Sequence, residues 1–408
     1  MLLNTIYPLL VFIGIILIIS RHSFFSLTPF TRRSLQLAFC IRAASGIVVF
    51  YLYSEYYPNR AEADTFKYFD DSYYMAKAFW SHPIDFFQML LGIDCNTEYF
   101  NTNYFNNMSN WVRSYDNGLF NDNRLIIRLN AVFRLFSMGN YHIHSLCFNF
   151  IAFMGSLQLA KVFYAISRSK LKSYVVIFLL PSVIFWSSGI FKESILLFGL
   201  GTFVYHFYQL SIGERRNKSV FILILSSGIL IVMKLYIFAA FLPVCIAYYI
   251  SRNWKKVFLS YASVFGLFLI LALGLGAIFP KYSFIHLIVD KQRDFINLAH
   301  FYEVNSAFQM DYLAPTLWSL IRAVPEALLN VFTKPWLSEV NSLLFIPPLI
   351  ENLVLIAFAI FCLIGRKKLN SKELNFFVLC LIFTFVVFIV IGLTTPITGA
   401  LVRYKIPV

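Results

Sequence analysis

The sequence predicts an all-α, polytopic integral membrane protein with about ten transmembrane helices and interfacial helices in two outer loops. Three observations carry that expectation. Of 408 residues, 59% are hydrophobic and only 13% charged, with a mean hydropathy of +0.70, whereas a soluble domain has about a quarter charged residues and under half apolar ones. The apolar residues form long runs, not the alternation of a lipid-facing barrel, so the backbone must satisfy itself within helices. Finally, the basic residues gather in short clusters between the runs.

The first run covers 4–20. No Lys or Arg precedes it and no small-residue cleavage site follows, so it reads as a span with its N-terminus outside, not as a cleaved signal. Further spans are expected at 35–54, 145–167, 173–188, 193–211, 219–233, 236–251, 257–279, 343–365 and 374–393. Residues 173–211 and 219–251 are each too long for one crossing. The former contains Pro181 and then Ser187-Ser188-Gly189-Ile190-Phe191-Lys192-Glu193; the latter has Lys234 near its middle. Each is expected to form a hairpin with the charge at its apex, because an ion at mid-bilayer costs at least ~3 kcal/mol.

Basic clusters at Arg21/Arg32/Arg33, Arg168/Lys170/Lys172, Arg215/Arg216/Lys218, Arg252/Lys255/Lys256 and Arg366/Lys367/Lys368/Lys372 fall at alternate turns. All five fit the cytoplasmic side together. The net charge of +14 is therefore a topology signal, and nucleic acid is not an expected partner. Residues 55–144, about 280–342, both apexes and the tail after 393 then face outward. The six cysteines are scattered without a CxxC, indicating neither a disulfide framework nor a zinc site. No repeat or linker divides the chain, so 1–408 reads as a single membrane domain.

Candidate chemistry lies on the outward face. The first outer loop carries Glu62, Asp64, Asp70 and Asp71 directly after the second span. Residues 65–80 have helical spacing and many aromatics, as in an interfacial helix. A carboxylate there can serve as general base on a sugar or lipid hydroxyl; the plainer account makes Asp64 an N-cap and Asp70 and Asp71 solvated acids of the first turns. Lys192, Lys234, Arg403 and Lys405 sit at outer span ends, with Glu193 beside Lys192. They can bind an anionic headgroup and stabilise a departing phosphate, or simply snorkel. Snorkelling explains each singly better than all together, since the positive-inside rule does not favour cations on this face.

Arg124, Arg128 and Arg134 precede the third span, where contact with membrane lipids is the plain account. Gln292, Arg293, Trp318 and the Lys334-Pro335-Trp336 turn are comparable, Trp serving either sugar stacking or an aromatic belt. His142 and His144 lack acid or Cys partners and read as interfacial, so no protein metal site is expected. Glu62-x-Asp64 leaves a divalent cation with a pyrophosphate open as a cofactor. No phosphate-binding Gly loop, hydrolase elbow or nucleotide motif occurs.

An early acidic outer loop, interfacial helices and a Pro-containing hairpin with a charged apex together resemble the GT-C superfamily of polytopic glycosyltransferases. Asp64-Thr65-Phe66-Lys67-Tyr68, the string from Pro181 to Glu193, Lys234-Leu235-Tyr236 and Arg403-Tyr404-Lys405-Ile406-Pro407 look like a bacterial branch that overlaps in appearance with polysaccharide polymerases. The resemblance implies a polyprenyl-phosphate-linked sugar donor, a glycan or lipid acceptor, and an active site at the periplasmic or exterior face of the plasma membrane. It also implies an Asp base in the first outer loop. Position favours Asp64, while Asp70-Asp71-x-x-Tyr74-x-x-x-Ala78 fits an acidic-pair form of the motif, so the base stays open between them. Lys192, Glu193, Lys234 and Arg403 would hold the donor phosphate, with Tyr68, Arg128, Tyr236 and Trp336 at the substrate. Two departures stand out: an extra span precedes the acidic loop, and relatives continue past the Arg403–Pro407 string, so the chain is expected to be C-terminally incomplete. The alternative functions are a polysaccharide polymerase or ligase using the loop arginines, and a lipid-linked sugar flippase. A flippase should carry charge along its spans, which the sequence reads as nearly bare.

Overall fold

Proline, glycine and isolated charges decide where the apolar runs break, and the computed structural model of the chain is helical between those breaks. It describes all residues except 1, 27, 58, 113–120, 215, 255, 281–282, 340–344 and 366–368. Among the described residues there is no strand, only an isolated antiparallel bridge between Ala307 and Ile397. The chain divides into two compact units, Met1–Lys234 and Leu235–Val408.

The first unit contains α1 (Leu2–Arg21), α2 (Ser23–Ser26), α3 (Arg32–Tyr56), α4 (Asp64–Ser81), α5 (Pro83–Leu91), α6 (Glu98–Asn103), α7 (Asn123–Ser137), α8 (Tyr141–Ser167), α9 (Lys170–Phe178), α10 (Pro181–Trp186), α11 (Lys192–Ser211) and the first part of α12 (Arg216–Trp254). The second holds the rest of α12, then α13 (Val257–Ile278), α14 (Phe284–Phe301), α15 (Leu317–Thr333), α16 (Ile346–Ile364), α17 (Ser371–Thr394) and α18 (Thr398–Tyr404).

Among the described residues, five helical stretches are long and apolar enough to cross a membrane: α3, α8, α12, α13 and α17. Apolar stretches at Thr5–Arg21 in α1 and Ile346–Cys362 in α16 are shorter. The expected span 173–188 is two short helices, α9 and α10, separated at Leu179 and Leu180. Pro181 lacks an N–H and disfavours helical geometry in the residue before it. Expected spans 219–233 and 236–251 form one helical stretch interrupted at Lys234, whose φ of −152° and ψ of 89° are not helical. Of the basic clusters, Arg215, Lys255, Arg366, Lys367 and Lys368 lie outside the described residues.

In the first unit α8 and α11 cross at Gly155 and Gly201, where a β-carbon on either would overlap backbone of the opposing helix. Small residues allow this approach where lipid supplies no hydrophobic drive between helices. Phe25, Phe39, Phe153, Leu157 and Phe178 fill the core joining α2, α3, α8 and α9. In the second unit α14 and α15 pack on α17, with Val289, Leu320, Ala327 and Leu393 buried together. The segment before α18 is held to 306–308 by Phe308 N–H to Pro396 O (2.8 Å) and Thr398 N–H to Ser306 O (2.9 Å).

Candidate functional site

Helix α4 places the three candidate carboxylates in three different settings. Ala63, not Asp64, is the N-cap, leaving Asp64 in the first turn, where the helix dipole favours a negative charge. Its Oδ1 lies 2.6 Å from Lys67 Nζ, and the side chain stays about a quarter exposed, at 27%. Asp70 faces solvent and accepts two hydrogen bonds from Arg60, at 2.6 and 3.1 Å. Asp71, buried, accepts the backbone N–H groups of Ser109 and Asn110, each at 2.9 Å. Burial raises its pKa above the ordinary value, opposed by those bonds. Asp71 thus fastens the 109–110 segment to α4.

Tyr68, one residue beyond Lys67, is almost fully buried. Both Lys67 Nζ and Lys192 Nζ lie 5.6 Å from its ring centroid, within the range of cation–π attraction. Lys192 also pairs with Asp122, Nζ to Oδ2 2.7 Å. Asp122 is the N-cap of α7 but makes no capping hydrogen bond with its side chain. The next residue along α11, Glu193, lies 3.3 Å from Lys234, the two side chains being only 1% and 8% exposed. Three carboxylates and three ammonium groups therefore pair across α4, α7, α11 and the end of the first unit.

The turn that positions Lys192 and Glu193 is tied down from three sides. Gly189 has a φ of +84°, and a β-carbon there would approach Val49 Cγ1 to 3.1 Å; the left-handed backbone and the tight space both call for glycine. Ile190 N–H donates to Thr65 Oγ1 (3.3 Å), and Thr65 in turn bonds the Tyr141 hydroxyl. Arg42, buried within α3, donates to Ser187 O (3.1 Å), Ser187 Oγ (2.5 Å) and Ser156 Oγ (3.1 Å). Among the described residues no carboxylate pairs with it. A charge inside an apolar helix marks a functional position by default, and it corrects the expectation of bare spans.

Of the sequence-derived candidates, Asp64, Tyr68, Lys192, Glu193 and Lys234 are thus brought into one region of the first unit. Arg128 of α7 donates through Nε to Met89 O at 2.8 Å. Arg403, Tyr236 and Trp336 belong to the second unit, where Trp336 is surface-exposed. That unit has its own cleft of about 370 Å³, lined by residues that include His286, Asp290, Arg293 and Tyr312. Lys405 donates to Lys334 O (3.0 Å) and Asn352 Oδ1 (3.3 Å), with burial pushing its pKa down to about 8. Among the described residues, no three His, Cys, Asp or Glu side chains gather as a metal site.

Sequence reasoning passed over Arg42 and Asp122, and gave Thr65 and Lys67 no role beyond their place in the Asp64–Tyr68 string. A signal existed for Arg42, the one Lys or Arg between 35 and 54. None existed for Asp122, whose surroundings read as a polar loop. No family model matches this chain, and no curated protein or solved structure shows significant similarity to it.

Proposed function

We propose that this chain is a GT-C-like membrane glycosyltransferase that moves a sugar from a polyprenyl-phosphate-linked donor to an acceptor hydroxyl at the periplasmic or outer face. The supporting observation is the convergence of Asp64 and Tyr68 with Lys192 and its partner Asp122, residues from well-separated stretches of sequence. In this reading Asp64 is the general base. Its Oδ1 faces Lys67 Nζ at 2.6 Å and its side chain keeps 27% exposure, whereas Asp71 is buried on backbone N–H groups and Asp70 lies at the surface against Arg60. Lys192 offers positive charge to the departing phosphate, which needs charge stabilisation more than a proton. Glu193 and Lys234 hold the start of α11 in place. This reading assigns no role to Arg403, Tyr236 and Trp336.

The test is sugar transfer in membranes supplied with a lipid-linked donor. Asp64→Asn is expected to slow transfer by about 10²–10⁴-fold, the usual contribution of a positioned base, and Asp70→Asn to leave it near wild type. Full activity in the Asp64→Asn, Asp70→Asn double variant would refute the mechanism.

Arg42 and the buried Glu193–Lys234 pair favour a second reading, a lipid-linked sugar transporter, because buried charge in apolar helices is a transporter feature. Movement of a labelled lipid-linked sugar across proteoliposomes without glycan product would select it.

A further inference from the structure

Outside that site, α7 carries two guanidinium groups for which the described residues supply no counter-ion. Arg124 and Arg128 are four residues apart and so share a helix face. Their guanidinium carbons lie 5.1 and 5.3 Å from the centroid of the same ring, Trp111. Trp111 is completely buried and stacked on Phe105, centroids 4.4 Å apart at 17°. Its ring is therefore a fixed platform rather than a surface for stacking sugar.

Each arginine is anchored through Nε. Arg124 donates it to Trp111 O (2.9 Å) and Arg128 to Met89 O (2.8 Å). Among the described residues neither arginine has a carboxylate partner; the nearby Asp122 and Asp71 are engaged with Lys192 and with backbone N–H groups. The indole Nε1 of Trp111 is also buried without a hydrogen-bond partner. Arg128 is mostly buried, and both that burial and Arg124 work against its charge.

Two like charges held over one ring are unfavourable until an anion joins them. The remaining Nη donors of a guanidinium suit an oxyanion, and its fork geometry prefers phosphate or carboxylate. Charge balance separates these two: a carboxylate supplies one negative charge, whereas a phosphate monoester supplies about 1.5 to 2 at neutral pH. We propose that Arg124 and Arg128 form a phosphate-binding site on the Trp111 platform. The site takes a phosphate dianion, either free inorganic phosphate or the monoester headgroup of a lipid. It stands independently of the transferase reading.

The test uses the full chain in nanodiscs. One arm titrates inorganic phosphate by calorimetry in phosphatidylcholine discs; the other compares discs containing phosphatidic acid, a phosphomonoester lipid. Phenylglyoxal modification mapped by mass spectrometry reads each arginine in the unmutated protein. Phosphate or phosphatidic acid is expected to protect Arg124 and Arg128 but not Arg293. Arg124→Gln or Arg128→Gln should weaken binding at least about tenfold, the loss of one charge-assisted contact, while Arg293→Gln leaves it unchanged. Protection by free phosphate identifies the free anion as ligand, and protection by phosphatidic acid alone identifies the headgroup. If neither protects these two arginines, or if binding is indifferent to both substitutions, the proposal is overturned. Because protection is measured on the unmutated chain, misfolding of a variant does not protect the proposal.

Discussion

Replacing Glu193 with Gln removes the anionic partner of Lys234 without changing side-chain volume. Both groups are nearly inaccessible, at 1% and 8% exposure, so water cannot take the place of the lost carboxylate. Removing one member of a buried pair typically costs about 3–5 kcal/mol, mostly the penalty of the stranded charge. The 3.3 Å separation is long for a charge-assisted bond, which places the expected loss at the lower end, about 3 kcal/mol. That corresponds to a more than hundredfold rise in the unfolding constant, since about 1.4 kcal/mol is tenfold. Lys234→Met should cost similarly by removing the cation that faces Glu193. The double variant Glu193→Gln, Lys234→Met should regain most of the loss, because replacing a whole buried pair by groups of similar volume is often close to neutral. Reversible SDS-induced unfolding in mixed micelles, run as a double-mutant cycle, measures all three. Single costs below about 0.5 kcal/mol that simply add in the double variant would refute the pairing, since additivity marks residues that do not interact.

Asp71→Asn should free the 109–110 segment: hydrogen exchange at the Ser109 and Asn110 amides should rise, with a stability loss of about 1.5–3 kcal/mol for a charged acceptor. Because burial raises the Asp71 pKa in the folded chain, the folded state holds that proton more tightly than the unfolded one. Stability therefore falls as pH climbs from the ordinary carboxylate range through the raised value, and Asp71→Asn should flatten that slope. Lys405 behaves oppositely. Its pKa is lowered from 10.5 to about 8, so between those values the unfolded chain binds the extra proton and stability rises with pH. The unfolding midpoint of wild type, measured relative to that of Lys405→Met, should stay level below about pH 8 and rise from there toward pH 10.

Much of the helix plan was legible along the chain, and the reason is local. Hydropathy and interrupting charge act within a turn or two, so the run at 374–393 appears as α17, whereas the expected span at 173–188 is split before Pro181 into α9 and α10. The long stretch around Lys234 was only half read. Its interruption was expected, but a single residue out of helical geometry suffices to make it.

What local pattern could not decide was the role of each charge. Asp64, Asp70 and Asp71 lie within two turns of one helix and look alike in sequence. A helix turns each successive residue by about 100°, which directs Asp70 to Arg60 and solvent and Asp71 under the 109–110 segment. Asp64 lies nearly on the face of Asp71 but about two turns earlier, where Lys67 meets it instead. The partner of Lys192 is Asp122, and that of Arg42 is a serine turn far along the chain. By itself the sequence determined the helical class and the main apolar stretches, because those follow from the transfer of short segments out of water. Only the tertiary structure decided which carboxylate is a fastening, which is a surface ion and which stands beside a cation cluster, because an ion pair is set by contacts between segments that are distant in sequence.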